Sequence, residues 1–220
     1  MTQNRIEIIR ENYDRIADEY ARRMFRELDG KPFDREQLAR LAASVQGRGA
    51  VCDLGCGPGH IARFLRDAGV DVFGLDLSLQ MIAQARRLSP GIEFREGNML
   101  ALDLADDALA GIAAFYAIVN IPNESLPLAI AEMHRVLQPG GLLLLAFHIG
   151  DEVLRPEELL GQPVSMEFYH LQPEKILSLL TRSGFTIEDV IERDPYAPDV
   201  EFQSRRAYVF ARKPAHSDQS

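Results

Sequence analysis

Cysteine is nearly missing from this chain: of 220 residues, only Cys52 and Cys56 carry thiols. Their spacing resembles half of a zinc site, but no second Cys/His pair accompanies them, so no metal is expected and both read as packing residues. Long apolar runs are missing too. Residues 142–147 make a stretch of strand length, well short of the roughly 18–20 residues that a membrane helix needs, so no membrane partner is expected. The first residues, Met-Thr-Gln-Asn-Arg, show no basic-then-apolar leader, which makes a cytoplasmic location the expectation. A basic block is also lacking. Residues 1–40 hold nine Arg/Lys against nine Asp/Glu, and the net charge of −9 argues against nucleic acid as the main partner, because phosphate neutralisation dominates that affinity.

What remains is an ordinary globular composition, 46% apolar and 26% charged, in a length that suits one well-buried domain. Ile6, Ile9, Tyr13, Ile16, Tyr20, Met24 and Leu28 recur at three- and four-residue steps and predict one long amphipathic helix, ended by Asp29-Gly30-Lys31-Pro32. A second helix is expected over 34–45, and residues 1–46 together read as a helical lid. From Ala50 onward strands and helices alternate. Strands are expected at 50–54, 71–75, 92–95, 111–118, 141–147, 185–192 and 205–212, and helices at 59–68, 78–88, 124–137 and 173–182. Pro139-Gly140-Gly141 reads as a stop before the apolar strand Leu142–Leu145. Such alternation implies an α/β fold with a doubly wound, seven-stranded, mostly parallel sheet whose last strand is antiparallel. Residues 149–170, with Gly150, Pro156, Gly161 and Pro163, read as an inserted flap beside the strand ends. The single domain is expected to span 1–213, with 214–220 a frayed, disordered tail.

The most informative segment is Val51-Cys52-Asp53-Leu54-Gly55-Cys56-Gly57-Pro58-Gly59, followed by Val72-Phe73-Gly74-Leu75-Asp76. Strand, glycine loop, helix, strand and acid is the layout of an adenosine-cofactor site, with the second acid placed to accept a ribose hydroxyl pair. The dinucleotide fingerprint needs a final glycine where His60 stands, and the phosphate-binding Gly-x-x-x-x-Gly-Lys-Ser/Thr loop is absent. A carboxylate just ahead of the loop suits an ammonium or sulfonium group better than a pyrophosphate.

At this point the chain resembles the class I S-adenosylmethionine-dependent methyltransferases, over roughly residues 10–212. Val51–Gly59 is similar to their first motif, Gly74–Ser78 to the acidic motif, and Gly97-Asn98-Met99 to the adenine-contacting loop. Leu137–Gly141 is similar to the turn before the fifth strand, and Tyr13-Asp14-x-x-Ala17-x-x-Tyr20 to the N-terminal helix of small-molecule members. The resemblance implies S-adenosyl-L-methionine as cofactor and S-adenosyl-L-homocysteine as product. It implies that Gly55, Cys56, Gly57 and Gly59 form the loop against the methionine moiety, with Asp53 acting electrostatically there. Asp76 would accept the ribose hydroxyls, Leu77 and Met81 would flank the adenine, and Asn98 and Met99 would border it. Ala114 and Phe115 would offer backbone to the cofactor's amino group, and Tyr13 and Tyr20 would lie over the site.

Methyl transfer from a sulfonium is an in-line displacement with a good leaving group, so orientation and desolvation outweigh proton transfer. Where the acceptor starts protonated, His148 at the end of the fifth strand is the expected base, with His170 in the flap next. Asn120 occupies a position where the resemblance leads one to expect histidine, and it would orient an acceptor rather than take its proton. Tyr116, Tyr169, Arg193 and Tyr196 are further substrate-side candidates, and His60 would touch the cofactor without doing chemistry. The expected acceptor is a small organic molecule, handled by a monomer or homodimer. Two other readings stay open: a non-catalytic cofactor-binding regulator, and a nicotinamide oxidoreductase.

Overall fold

The computed structural model describes residues 1–215, so most of the expected tail lies outside the described residues. The chain opens with α1 (Gln3–Met24), a 3-10 turn at Glu27–Gly30, and α2 (Pro32–Val45). The first helix stops four residues short of Leu28, because the tighter turn begins ahead of the Gly30-Lys31-Pro32 punctuation. Next come β1 (Val51–Leu54), α3 (His60–Asp67), β2 (Val72–Asp76), α4 (Leu79–Leu88), β3 (Glu93–Glu96) and β4 (Leu109–Phe115). A 3-10 turn at Ala117–Asn120 leads to α5 (Leu126–Val136) and β5 (Leu137–His148). Four two-residue strands follow: β6 (Val153–Leu154), β7 (Glu158–Leu159), β8 (Gln162–Pro163) and β9 (Phe168–Tyr169). The chain closes with α6 (Pro173–Arg182), β10 (Thr186–Arg193) and β11 (Arg206–Arg212).

Seven strands form the sheet, in the order β10-β11-β5-β4-β1-β2-β3, with β11 antiparallel to both neighbours and every other pair parallel. The β4 and β5 side chains are buried almost throughout, which is why Leu142-Leu143-Leu144-Leu145 needs no polar alternation. One face packs under α5 and α6, the other under α2, α3 and α4. Each fully buried leucine contributes about 1.5–3 kcal/mol of hydrophobic stabilisation.

Two expectations are revised. The fourth strand ends at Phe115, not 118, because Tyr116 takes a left-handed backbone (φ 52°) and the Ala117–Asn120 turn folds back across the strand ends. Pro139-Gly140-Gly141 lies within β5. Gly140 adopts φ 77°, and the pairing jumps from Leu109↔Leu137 to Gly111↔Leu142, so the segment is a bulge rather than a stop.

Strand order reverses on either side of β1, whose two neighbours are β2 and β4. Such a switch point opens a crevice at the carboxyl ends of the strands. The N-terminal helix lies over that crevice, fastened to α4. Asp14 accepts hydrogen bonds from Ser78 Oγ (2.6 Å) and the Gln80 amide (3.0 Å), while Ser78 Oγ accepts from the Met81 amide and so caps α4. Residues 149–170 run as two short antiparallel pairs, β6–β9 and β7–β8, against the same helix. Among the described residues no helix is long and apolar enough to cross a membrane.

Candidate cofactor and active site

The crevice holds a pocket whose walls come from every element around the switch point. Gly55, Cys56, Gly57, Pro58 and His60 supply the β1 side, Asp76, Leu77 and Met81 the β2 side, and Gly97, Asn98 and Met99 the β3 side. Phe115, Tyr116, Ala117 and Asn120 close the β4 side, and Ile9, Tyr13, Tyr20 and Glu27 form the roof.

The three loop glycines all have positive φ, yet they serve different ends. A Cβ on Gly59 would lie 2.7 Å from the Phe94 ring, and one on Gly55 would lie 2.6 Å from Ala117 Cβ. Both are glycine because protein packs against them. A Cβ on Gly57 would meet only the Tyr20 ring at 3.8 Å, so Gly57 is the one bare toward the pocket. Its amide donates to Asp76 Oδ2 (2.8 Å), while Asp76 Oδ1 accepts from the Ser78 amide (2.8 Å). Burial raises the Asp76 carboxyl above the usual range, and these two amides oppose that shift.

Tyr13 reaches across the pocket to Asn120, its hydroxyl donating to Oδ1 at 2.7 Å. Asn120 Nδ2 donates to the Glu167 carbonyl (2.7 Å), which ties roof, strand-end turn and flap into one chain of bonds. Asn98 Oδ1 accepts from the Leu100 amide (3.0 Å), which fixes the loop that borders the far end.

Five expected cofactor and catalytic residues stand outside the pocket wall, and so do the substrate-side candidates Tyr169, Arg193 and Tyr196, with Arg193 held by Asp34 and Glu201. Asp53 is 1% exposed and accepts from the Ala62 amide (2.8 Å) in the first turn of α3; burial pushes its carboxyl up to about 7. Gly59 caps α3 beneath the loop, and Ala114 is wholly inside the core. His148 and His170 stack on each other at 5.6 Å, with His148 behind Tyr116 (4.9 Å) and bonded through Nδ1 to Ser204 Oγ (2.6 Å). Burial and the nearby Arg206 guanidinium bring His148 down to about 3, so it stays neutral, with Tyr116 between it and the pocket.

Conversely, Glu27 and His60 meet in the wall, with Glu27 Oε1 and His60 Nε2 2.7 Å apart. They are 33 residues apart in sequence and come from different elements, so no local pattern joins them. The wall carries two carboxylates, Glu27 and Asp76, and no Lys or Arg side chain. Those two acceptors suit a cationic ligand bearing hydroxyls and disfavour a pyrophosphate.

Residues 51–141 match the family model described as a methyltransferase domain. The chain has the fold of the class I S-adenosylmethionine-dependent methyltransferases. A SAM-dependent methyltransferase from Methanosarcina mazei superposes with a TM-score of 0.70 over 80% of this chain and 98% of its own, at 20% identity. The chain is 40% identical over 106 residues to a malonyl-[acyl-carrier protein] O-methyltransferase of Enterobacter lignolyticus, covering 48% of this chain and 41% of that protein. It is 38% identical over 112 residues to a demethylmenaquinone methyltransferase of Renibacterium salmoninarum, covering 51% of this chain and 46% of that protein. The chain thus spans under half the length of these two curated relatives. In that fold family the cofactor has no pyrophosphate to cradle, which fits His60 standing where a dinucleotide loop needs glycine.

Proposed function

We propose that the protein transfers a methyl group from S-adenosylmethionine to a small organic acceptor. The observation that carries this reading is one pocket, at the sheet's switch point, that unites Gly57, Asp76, Asn98 and Met99 under Tyr13 and Tyr20. Bound there, the cofactor supplies an electrophilic methyl group on sulfur. The residues supply the rest. Asp76, already anchored by two amides, keeps lone pairs for the ribose hydroxyls. Leu77, Met81 and Met99 give the adenine an apolar slot, with Asn98 at its edge. Tyr13, Tyr20 and Phe115 exclude water from the transfer path, where orientation and desolvation provide most of the rate.

The acceptor approaches, in this reading, through a second cavity between α1 and the flap. That cavity is lined by Ile8, Val164 and Met166 with Arg5 and Arg155 near Glu167, and it shares Ile9 and Asn120 with the cofactor pocket. Asn120 is therefore the residue placed to orient the acceptor. His148 and His170 would act on it only if Tyr116 moved aside. The two relatives are named for different acceptors, malonyl-acyl-carrier protein and demethylmenaquinone, so the likeness to them supports the cofactor rather than either acceptor.

Calorimetry with S-adenosylhomocysteine tests the cofactor half, and binding in the micromolar range is expected. Incubating methyl-labelled cofactor with fractionated metabolite pools tests the transfer, and a labelled small molecule is expected. No heat at millimolar ligand would overturn the reading. A cytoplasmic monomer or homodimer is proposed with it, checked by cell fractionation and light scattering.

A further inference from the structure

The cofactor carries an amino-acid end, and the residue the sequence offers for it, Asp53, is turned away. Its Oδ2 is bonded to the Ala62 amide inside α3, and its side chain does not reach the pocket. His60, six residues past β1, does reach it. Nε2 lies 2.7 Å from Glu27 Oε1, and Nδ1 is buried with no hydrogen-bond partner in the protein. The His60 side chain is only 11% exposed, so bulk water does not explain that lone atom.

The chemistry of the pair follows from its partners. Glu27 Oε2 accepts from the Lys31 ammonium, whose side chain is 7% exposed, and this keeps Glu27 ionised and fixes its orientation. An ionised carboxylate only accepts, so Nε2 carries the proton and donates to it. In a neutral imidazole the other nitrogen, Nδ1, is then a buried acceptor with no partner, on a side chain that lines the pocket. Its missing partner is a donor. Gly57, the glycine bare toward the pocket, lies three residues away under the Tyr20 ring. Asp76 adds a second negative charge to the same wall, and no Lys or Arg side chain lines it.

Resting on the cofactor reading above, we propose that Glu27 and His60 form the receptor for the cofactor's α-ammonium group, with His60 Nδ1 accepting its hydrogen bond and Glu27 holding the imidazole and balancing the charge. Lys31 acts as a positioning residue through Glu27. The pair replaces Asp53, the carboxylate that the glycine-loop pattern points to, and it joins the N-terminal segment to the loop only when the chain is folded.

The test uses three thioethers of adenosine in calorimetry: S-adenosylhomocysteine, its deamino analogue that keeps the carboxylate, and 5′-methylthioadenosine, which lacks the amino-acid end. The native protein should bind S-adenosylhomocysteine about tenfold tighter than the deamino analogue, the scale of one charge-assisted hydrogen bond. In His60→Ala and Glu27→Gln that preference should vanish while methylthioadenosine binds as before, which also shows that the variants are folded. Should His60→Ala fail to fold, Glu27→Gln keeps the side-chain volume and reads the same ratio. Equal binding of S-adenosylhomocysteine and its deamino analogue by the native protein would overturn the proposal. So would variants that weaken all three ligands alike; in both cases the cofactor reading stands. If the native protein bound neither S-adenosylhomocysteine nor methylthioadenosine, the cofactor reading itself would fall, and the pair's role with it.

Discussion

The two cavities that meet at Asn120 are built in opposite ways. Apart from its roof, the cofactor pocket takes most of its wall from strand-end loops between Leu54 and Ile121, pinned through backbone amides that donate to side-chain oxygens: Gly57 and Ser78 to Asp76, Leu100 to Asn98. The flap cavity has α1 on one side and chain outside regular structure, residues 155–157 and 164–167, on the other, and side chains join the two. Glu167 alone takes Arg155 (2.7 Å), the Tyr169 hydroxyl and Arg5, the last from the far end of the chain. Backbone-built walls resist change, whereas walls of exposed ion pairs yield cheaply. A site that must hold one cofactor and admit a variable acceptor gains from both.

Gly59→Ala strikes the rigid side hardest. A Cβ there collides with Phe94 at a backbone angle of 83°, so a loss of about 3 kcal/mol in urea-unfolding stability is expected from overpacking and left-handed strain. A near-neutral result would mean that the loop is as pliable as the flap. The roof has an electrostatic signature as well. Against a burial cost that pushes the other way, His60 first and Lys31 after it hold the Glu27 carboxyl down to about 2, below its ordinary 4.5. A depressed acid stabilises the fold above its unfolded pKa. The contribution, on the order of 2–3 kcal/mol, should therefore be present at neutral pH and drain away as pH falls from about 4.5 to 2. Acid titration of thermal stability should show that loss, and Glu27→Gln should abolish it; an unchanged acid profile in Glu27→Gln would remove Glu27 from the pocket's support.

Asp76→Ala should weaken S-adenosylhomocysteine binding by about 2 kcal/mol through lost charge-assisted hydrogen bonds. Unchanged affinity would reduce Asp76 to a brace for the loop. On the yielding side, Arg155→Ala removes one half-exposed ion pair and should cost about 0.5 kcal/mol of stability with no change in cofactor affinity. A large loss in either measurement would erase the contrast between the two cavities.

Much of the cofactor side was legible because its signals are local. Gly57, Asp76, Leu77, Met81, Asn98 and Met99 belong to strand–loop–helix units in which spacing alone dictates position, and all of them line the pocket. Tyr13 and Tyr20 followed from helical periodicity combined with the resemblance. Reading failed where side-chain direction mattered. Asp53 occupies the expected place in sequence, yet the α3 amide claims its carboxylate. His148 ends β5 as expected, but the left-handed Tyr116 stands in front of it.

By itself, the sequence determined the alternating α/β layer, the glycine loop and the acid that follows it, because periodicity and backbone sterics act over a few residues. Only the tertiary structure decided that Gly55 and Gly59 answer to Ala117 and Phe94, that Glu27 meets His60, and that Arg5 meets Glu167. Those pairings join residues tens to more than a hundred positions apart. They exist because burial of the two sheet faces brings the segments together, and no local rule encodes that distance.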